Sequence, residues 1–236
     1  MTEALNILSG GAAQGLVGSL KEAFKAETGF DIAGEFGAVG AMADKLRGGM
    51  PTDIIILTAA LVAKLAEEGL VVAASITEVG LVETALAVRS RDPTVNVTDA
   101  DTLRAAFLGS DAIFVPDTKA STAGIHVARM LDRLGIASDV EARLQVFPNG
   151  ATAMRHLAAS DFERPIGCTQ STEIISTEGV VLSGSLPRGY DLATMYTAAI
   201  STRATHIRQA QALIDLLISA DHQELRSRAG FLGSAT

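Results

Sequence analysis

Polar and apolar positions along the chain alternate between two periods: short strand-like runs lead repeatedly into stretches with helical spacing. Residues 4–8 form a short apolar strand. Residues 13–27 place Leu16, Leu20, Ala23 and Phe24 at helical spacing and stop at Gly29. Residues 30–36 predict a second strand and 39–46 a helix ended by Gly48 and Gly49. Residues 53–57 (DIIIL) are continuously apolar after the first position, as in a strand covered on both faces, and a helix over 61–68 follows. The same reading predicts strands at 82–89, 112–115, 142–147, 165–168, 180–182 and 190–201. It predicts helices at 100–108 (with Thr98 or Asp99 as N-cap), 122–134, 151–159, 203–219 and 221–228. Alternation of strand and helix predicts an α/β fold of right-handed β-α-β units with mostly parallel sheets flanked by helices.

Two β-rich passages, near 77–89 and 186–200, interrupt this rhythm. If the chain crosses between two lobes there, the first lobe comprises 1–81 with 197–236, and the second is the inserted segment 82–196.

Three strand ends run into small and hydroxyl residues just before a helix: Ser9, Gly10, Gly11 and Ala12; Ser121, Thr122 and Ala123; Gly150, Ala151 and Thr152. The first backbone N–H groups of a helix have no intrahelical acceptor and lie at the positive end of the helix dipole, so such ends suit a small anion without any charged side chain. Ligands of doubly wound sheets sit beyond the carboxyl ends of strands. That rule adds Gly37 and Ala38, Thr58, and Thr169 with Gln170 as ligand-binding candidates. For each residue alone, capping or turn formation explains the residue type as well.

Composition narrows the class. The chain has 236 residues, 48% of them hydrophobic and 4% aromatic, with no Trp, so its core is aliphatic. A net charge of −8 argues against nucleic acid as a partner. No apolar run is long enough to insert in a membrane. The chain opens without a basic stretch followed by an apolar one, which gives the expectation of a cytoplasmic protein, or of a periplasmic one if a leader has been removed. Cys168 is the single cysteine, so no intrachain disulfide forms, and a small buried thiol is the expected role. The four histidines lack metal-ligand spacing; neither a metal nor a cofactor is expected. His126, close behind the Ser121–Ala123 turn, is the first choice for acid–base catalysis if the protein is an enzyme. Lys119, Arg89, Arg155 and His156 are further polar groups near predicted helix starts and strand ends.

The order of these pieces resembles the type 2 periplasmic binding-protein fold and, more narrowly, the molybdate-binding proteins of ABC importers. Residues 48–57 (GGMPTDIIIL) resemble that family's GAPADVFIS segment, residues 116–131 its helix start after a proline, and Tyr196–Ile200 with 209–231 its YPAAV…FLDFLLSPEAQ…GF ending. The resemblance spans nearly the whole chain. It implies a two-lobe protein that clamps a small anion by helix N-termini and hydroxyls, closes by a hinge, and, if exported, delivers to an ABC permease. The ligand loops depart from the molybdate pattern: Ala12 stands where a serine is usual, Gly37 to Gly40 replace a serine-rich loop, and Cys168 to Gln170 replace a segment with a tyrosine. The implied ligand is therefore an oxyanion such as molybdate or a small di- or tricarboxylate. The alternative is a cytoplasmic isomerase of a small organic acid, because aconitate isomerase is similar to these binding proteins.

Overall fold

Strand and helix alternate along the computed structural model, which describes residues 3–233. In chain order the elements are β1 (Ala4–Gly10), α1 (Gln14–Thr28), β2 (Asp31–Gly37), α2 (Val39–Arg47), β3 (Ile54–Thr58), α3 (Ala59–Glu67) and β4 (Thr77–Arg89). There follow α4 (Ala100–Gly109), β5 (Ala112–Pro116), α5 (Thr122–Arg133), α6 (Ala137–Val140), β6 (Leu144–Phe147), α7 (Gly150–Ala158), β7 (Pro165–Gln170) and α8 (Ser171–Ile175). The last are β8 (Val180–Ser185), β9 (Ala193–Ile200), α9 (Ile207–Ile218) and α10 (Gln223–Arg228). The chain forms two compact units, one from residues up to Val82 and from Thr194 onward, the other from Glu83–Ala193.

In the first unit β1 pairs in parallel with β2 and β3, while β9 lies antiparallel on β3. Ile54, Ile55, Ile56 and Leu57 are fully buried, as the unbroken apolar run required. Each such side chain contributes roughly 1.5–3 kcal/mol of transfer free energy. They join Leu16, Leu20 and Phe24 of α1 and Leu213, Ile214 and Leu217 of α9 in one hydrophobic core.

The predicted start of the helix near 203 is displaced to Ile207. Asp53, 1% exposed, is the cause. Its carboxylate accepts the backbone N–H of Thr205 (2.8 Å) and His206 (3.0 Å), holding those residues as a cap outside the helix. It also accepts the Asn6 N–H at 2.9 Å and lies 3.3 Å from His206 Nδ1. Asp53 thus fastens β1 and the α9 start to β3. Burial pushes its carboxyl pKa up, but the donors from Asn6, His206 and Thr205 outweigh that and hold it below the ordinary value.

In the second unit β5 pairs in parallel with β6 and β7, and β4 runs antiparallel to β7 and β8. One sheet face buries Leu86, Val88, Ile166 and Cys168 against Val127, Met130 and Leu131 of α5. The other buries Ala85, Ala87 and Phe114 against Ala153, Met154 and Leu157 of α7. The parallel strands are thus joined in each unit by antiparallel ones. Two predicted strands are shorter than expected. Residues 137–143 form α6 and a 3-10 turn ahead of β6, because Ile136 and Val140 turn inward at helical spacing. The expected strand from 190 begins at Ala193, after a turn closed by the Tyr190 N–H on the Pro187 carbonyl.

Candidate functional site

At the carboxyl ends of the first unit's strands, register brings the predicted loops level. Gly10 lies opposite Gly37, Ser9 opposite Ile56, and Thr58 opposite Tyr196. Ser9, Gly10, Gly11 and Ala12 are buried, and Gly11 opens a 3-10 turn (Gly11–Ala13) that leads into α1. Gly10 is required by close packing: a Cβ there would lie 2.9 Å from both Tyr196 Cε1 and Val39 Cγ1. Ala38 and Thr58 are the N-caps of α2 and α3, and neither helix has a side-chain cap. With no side chain hydrogen-bonded across them, these helix starts present backbone N–H groups that lack an intrahelical acceptor. The Ser9 hydroxyl, expected to donate to a ligand, donates instead to the Gly10 carbonyl at 2.9 Å.

In the second unit the parallel strands β5, β6 and β7 bring the starts of α5, α7 and α8 to the same sheet end. The α5 start is shaped by Asp117. Its Oδ1 accepts the N–H of Lys119 (2.7 Å) and Ala120 (2.9 Å), and its carbonyl accepts the Ser121 N–H at 3.1 Å. The loop is thereby folded onto the helix so closely that a Cβ at Gly124 would collide with the carbonyl oxygens of Asp117 and Pro116. Ser121 is the N-cap and makes no cap bond; Thr122 and Ala123 follow as the first helical residues. Lys119 is exposed. His126, one turn in, has its Nε2 2.7 Å from the Tyr190 carbonyl, and the Arg133 guanidinium lies 4.7 Å from the Tyr190 ring centroid. The ring of His126 therefore ties α5 to the 187–192 segment.

The α7 start differs. Gly150, Ala151, Thr152 and Thr169 do come together, but their donors are already engaged within the chain. Asn149 Oδ1 accepts the Thr152 N–H at 2.8 Å. The Thr169 hydroxyl donates to Glu173 Oε2 at 2.6 Å, and the same carboxyl group accepts the backbone N–H groups of Gly150, Ala151 and Gln170. Glu173 is 5% exposed, and a Cβ at Gly150 would collide with its Oε2. In this structure the helix start that was expected to face a ligand holds the chain's own acid. Burial pushes the Glu173 carboxyl pKa up, against the pull of its four donors. Glu173 escaped the sequence reading. Its only signal is a carboxylate four residues after Thr169 at a strand-to-helix join.

The remaining candidates are engaged or buried within the chain. Arg89, 5% exposed, binds Asp92 through Nε and the carbonyls of Ser160 and Glu163 through its two amino groups. Arg155 donates to the Thr152 hydroxyl at 2.9 Å, and His156 stacks on Phe147 at 4.4 Å between centroids. Cys168 is buried, and burial pushes its thiol up to about 12, far from a reactive thiolate.

Residues 5–232 match the family model described as bacterial extracellular solute-binding protein. A curated relative, an aconitate isomerase of a Pseudomonas species, is 24% identical over 228 residues, covering 92% of this chain and 83% of the relative. Among solved structures, the periplasmic molybdate-binding protein of Azotobacter vinelandii superposes with a TM-score of 0.79 at 16% identity, over 97% of this chain and 98% of that one. The sulfate-binding protein of Mycobacterium tuberculosis H37Rv superposes with a TM-score of 0.74 at 19% identity, over 97% of this chain and 86% of that one. These likenesses establish the fold, a type 2 periplasmic binding-protein architecture.

Proposed function

The chain belongs to the bacterial extracellular solute-binding protein family, and from that premise we propose that it binds a small oxyanion or carboxylate through backbone N–H groups at helix starts. The observation that carries this reading is the pair of sheet ends at which helices begin with small residues and no side-chain cap: Gly11, Ala12 and Ala38 in one unit, Thr122 and Ala123 in the other. Such N–H groups, at the positive ends of helix dipoles, hold an anion even in a chain of net charge −8. Binding proteins of molybdate and sulfate share the architecture. As a transport receptor the protein would work outside the cytoplasmic membrane and pass its solute to an ABC permease.

A thermal-shift panel of molybdate, tungstate, sulfate and small di- and tricarboxylates tests the reading. One of them raises the melting temperature with a concentration dependence set by its Kd. Absence of any shift across the panel removes the reading.

The aconitate isomerase relative supports a second reading, an isomerase of a small organic acid on the same scaffold. Formation of trans-aconitate from cis-aconitate would favour it. His126 would then have to act while its Nε2 stays on the Tyr190 carbonyl, leaving Nδ1 as the exchanging atom.

A further inference from the structure

Thr84 lies on β4 and is 1% exposed, and its hydroxyl has no hydrogen-bond partner in the chain. Strand alternation places its side chain on the same face as Leu86 and Val88, the face that packs on Val127, Met130 and Leu131 of α5. Register sets it directly opposite Gln170, at the carboxyl end of β7. Because β5 and β7 are parallel, this is the sheet end from which α5 starts. Two bonds from one short segment fix the position further: the Thr84 N–H donates to the Leu192 carbonyl at 2.8 Å, and His126 of α5 binds the Tyr190 carbonyl at 2.7 Å. The first turn of α5, with its uncapped N–H groups at Thr122 and Ala123, thus shares a face and a sheet end with a buried, unpaired hydroxyl.

A buried hydroxyl without a partner carries a desolvation penalty that valine, of nearly the same shape, would avoid. Leu86 and Val88, further along the same face, are buried apolar side chains. A hydroxyl kept on the face and at the sheet end from which α5 starts has the chemistry of a neutral donor to an anion.

We infer that Thr84 is a solute-binding residue whose hydroxyl donates to the oxyanion or carboxylate held at the first turn of α5. This rests on the solute-binding reading above and adds to it a side-chain donor from a strand.

The test compares the unaltered full chain with Thr84→Val and Thr84→Ser, by calorimetric titration with molybdate, sulfate and cis-aconitate and by melting in anion-free buffer. Thr84→Val is expected to melt at or above the unaltered protein and to bind the tightest of the three probes about tenfold or more weakly, the loss expected for one hydrogen bond to a charged group. Thr84→Ser keeps the hydroxyl and stays within about threefold. Equal affinity in Thr84→Val, with binding intact in the unaltered chain, overturns the Thr84 assignment alone. A lower melting point of Thr84→Val without anion also overturns it, since the hydroxyl would then serve the fold. If none of the probes binds the unaltered chain, the solute-binding reading fails and the assignment falls with it.

Discussion

The Thr169 hydroxyl donates to Glu173 Oε2 across 2.6 Å, and both residues are buried. The bond joins the end of β7 to α8. With the N–H groups of Gly150 and Ala151 on the same carboxyl group, it also locks the first turn of α7. A helix start that has the sequence of an anion site is thereby used to hold an internal acid.

Glu173→Ala leaves these buried donors without their acceptor, and a loss of roughly 2–4 kcal/mol is expected in denaturant unfolding. Formate, small enough for the space left, should restore part of the melting temperature of Glu173→Ala and leave the unaltered protein unchanged. The pH dependence has a definite sign. Because the folded carboxyl pKa lies above its ordinary value of 4.5, its contribution is complete below that pH and lost as pH rises through the folded value. Relative to Glu173→Gln, the unaltered chain therefore loses stability as pH rises above 4.5. Parallel stability–pH curves for the two proteins would contradict this.

Asp53 behaves in the opposite sense. Its folded pKa lies below the ordinary 3.8, so its contribution is present above that pH and disappears as pH falls through the folded value. Asp53→Asn should cost roughly 2–4 kcal/mol at neutral pH, having lost a carboxylate that accepts three backbone N–H groups. The gap between the two proteins should close in acid below pH 3.8, as read by urea unfolding across a pH series.

Gly124→Ala drives a methyl group into the Asp117 and Pro116 carbonyls. The expected cost is roughly 1–3 kcal/mol from overpacking. Because the shift falls on the first turn of α5, anion binding should weaken as well. Gly109→Ala, at a helical position where a Cβ meets nothing within 4 Å, is the control and should leave anion binding unchanged and raise stability slightly.

Much of this was legible in the sequence. The unbroken apolar run at 54–57 predicted a strand covered on both faces, and Gly29 and Gly135 mark helix ends where positive φ is needed. Long-range polar bonds were not legible. Asp53 moves the start of α9 through contacts with residues about 150 positions away, which no local pattern reveals. Equally, the small residues at Gly150–Thr152 have the composition of a ligand loop whether a solute or Glu173 occupies it. What distinguishes them is a side chain from a neighbouring helix. Thr84 was passed over because a lone threonine in a β-branched strand carries no signal until its partners are counted.

The central claim, that uncapped helix starts hold the solute, is tested most directly by recording backbone amide resonances of the isotopically labelled chain during titration with the anion that most raises its melting temperature. The account predicts that the amides of Gly11, Ala12, Ala38, Thr122 and Ala123 shift on saturation, while those of Gly150, Ala151 and Thr152 keep the positions set by Glu173 and Asn149. Shifts confined to the α7 amides, or absent from all of these residues while the anion binds, would contradict it.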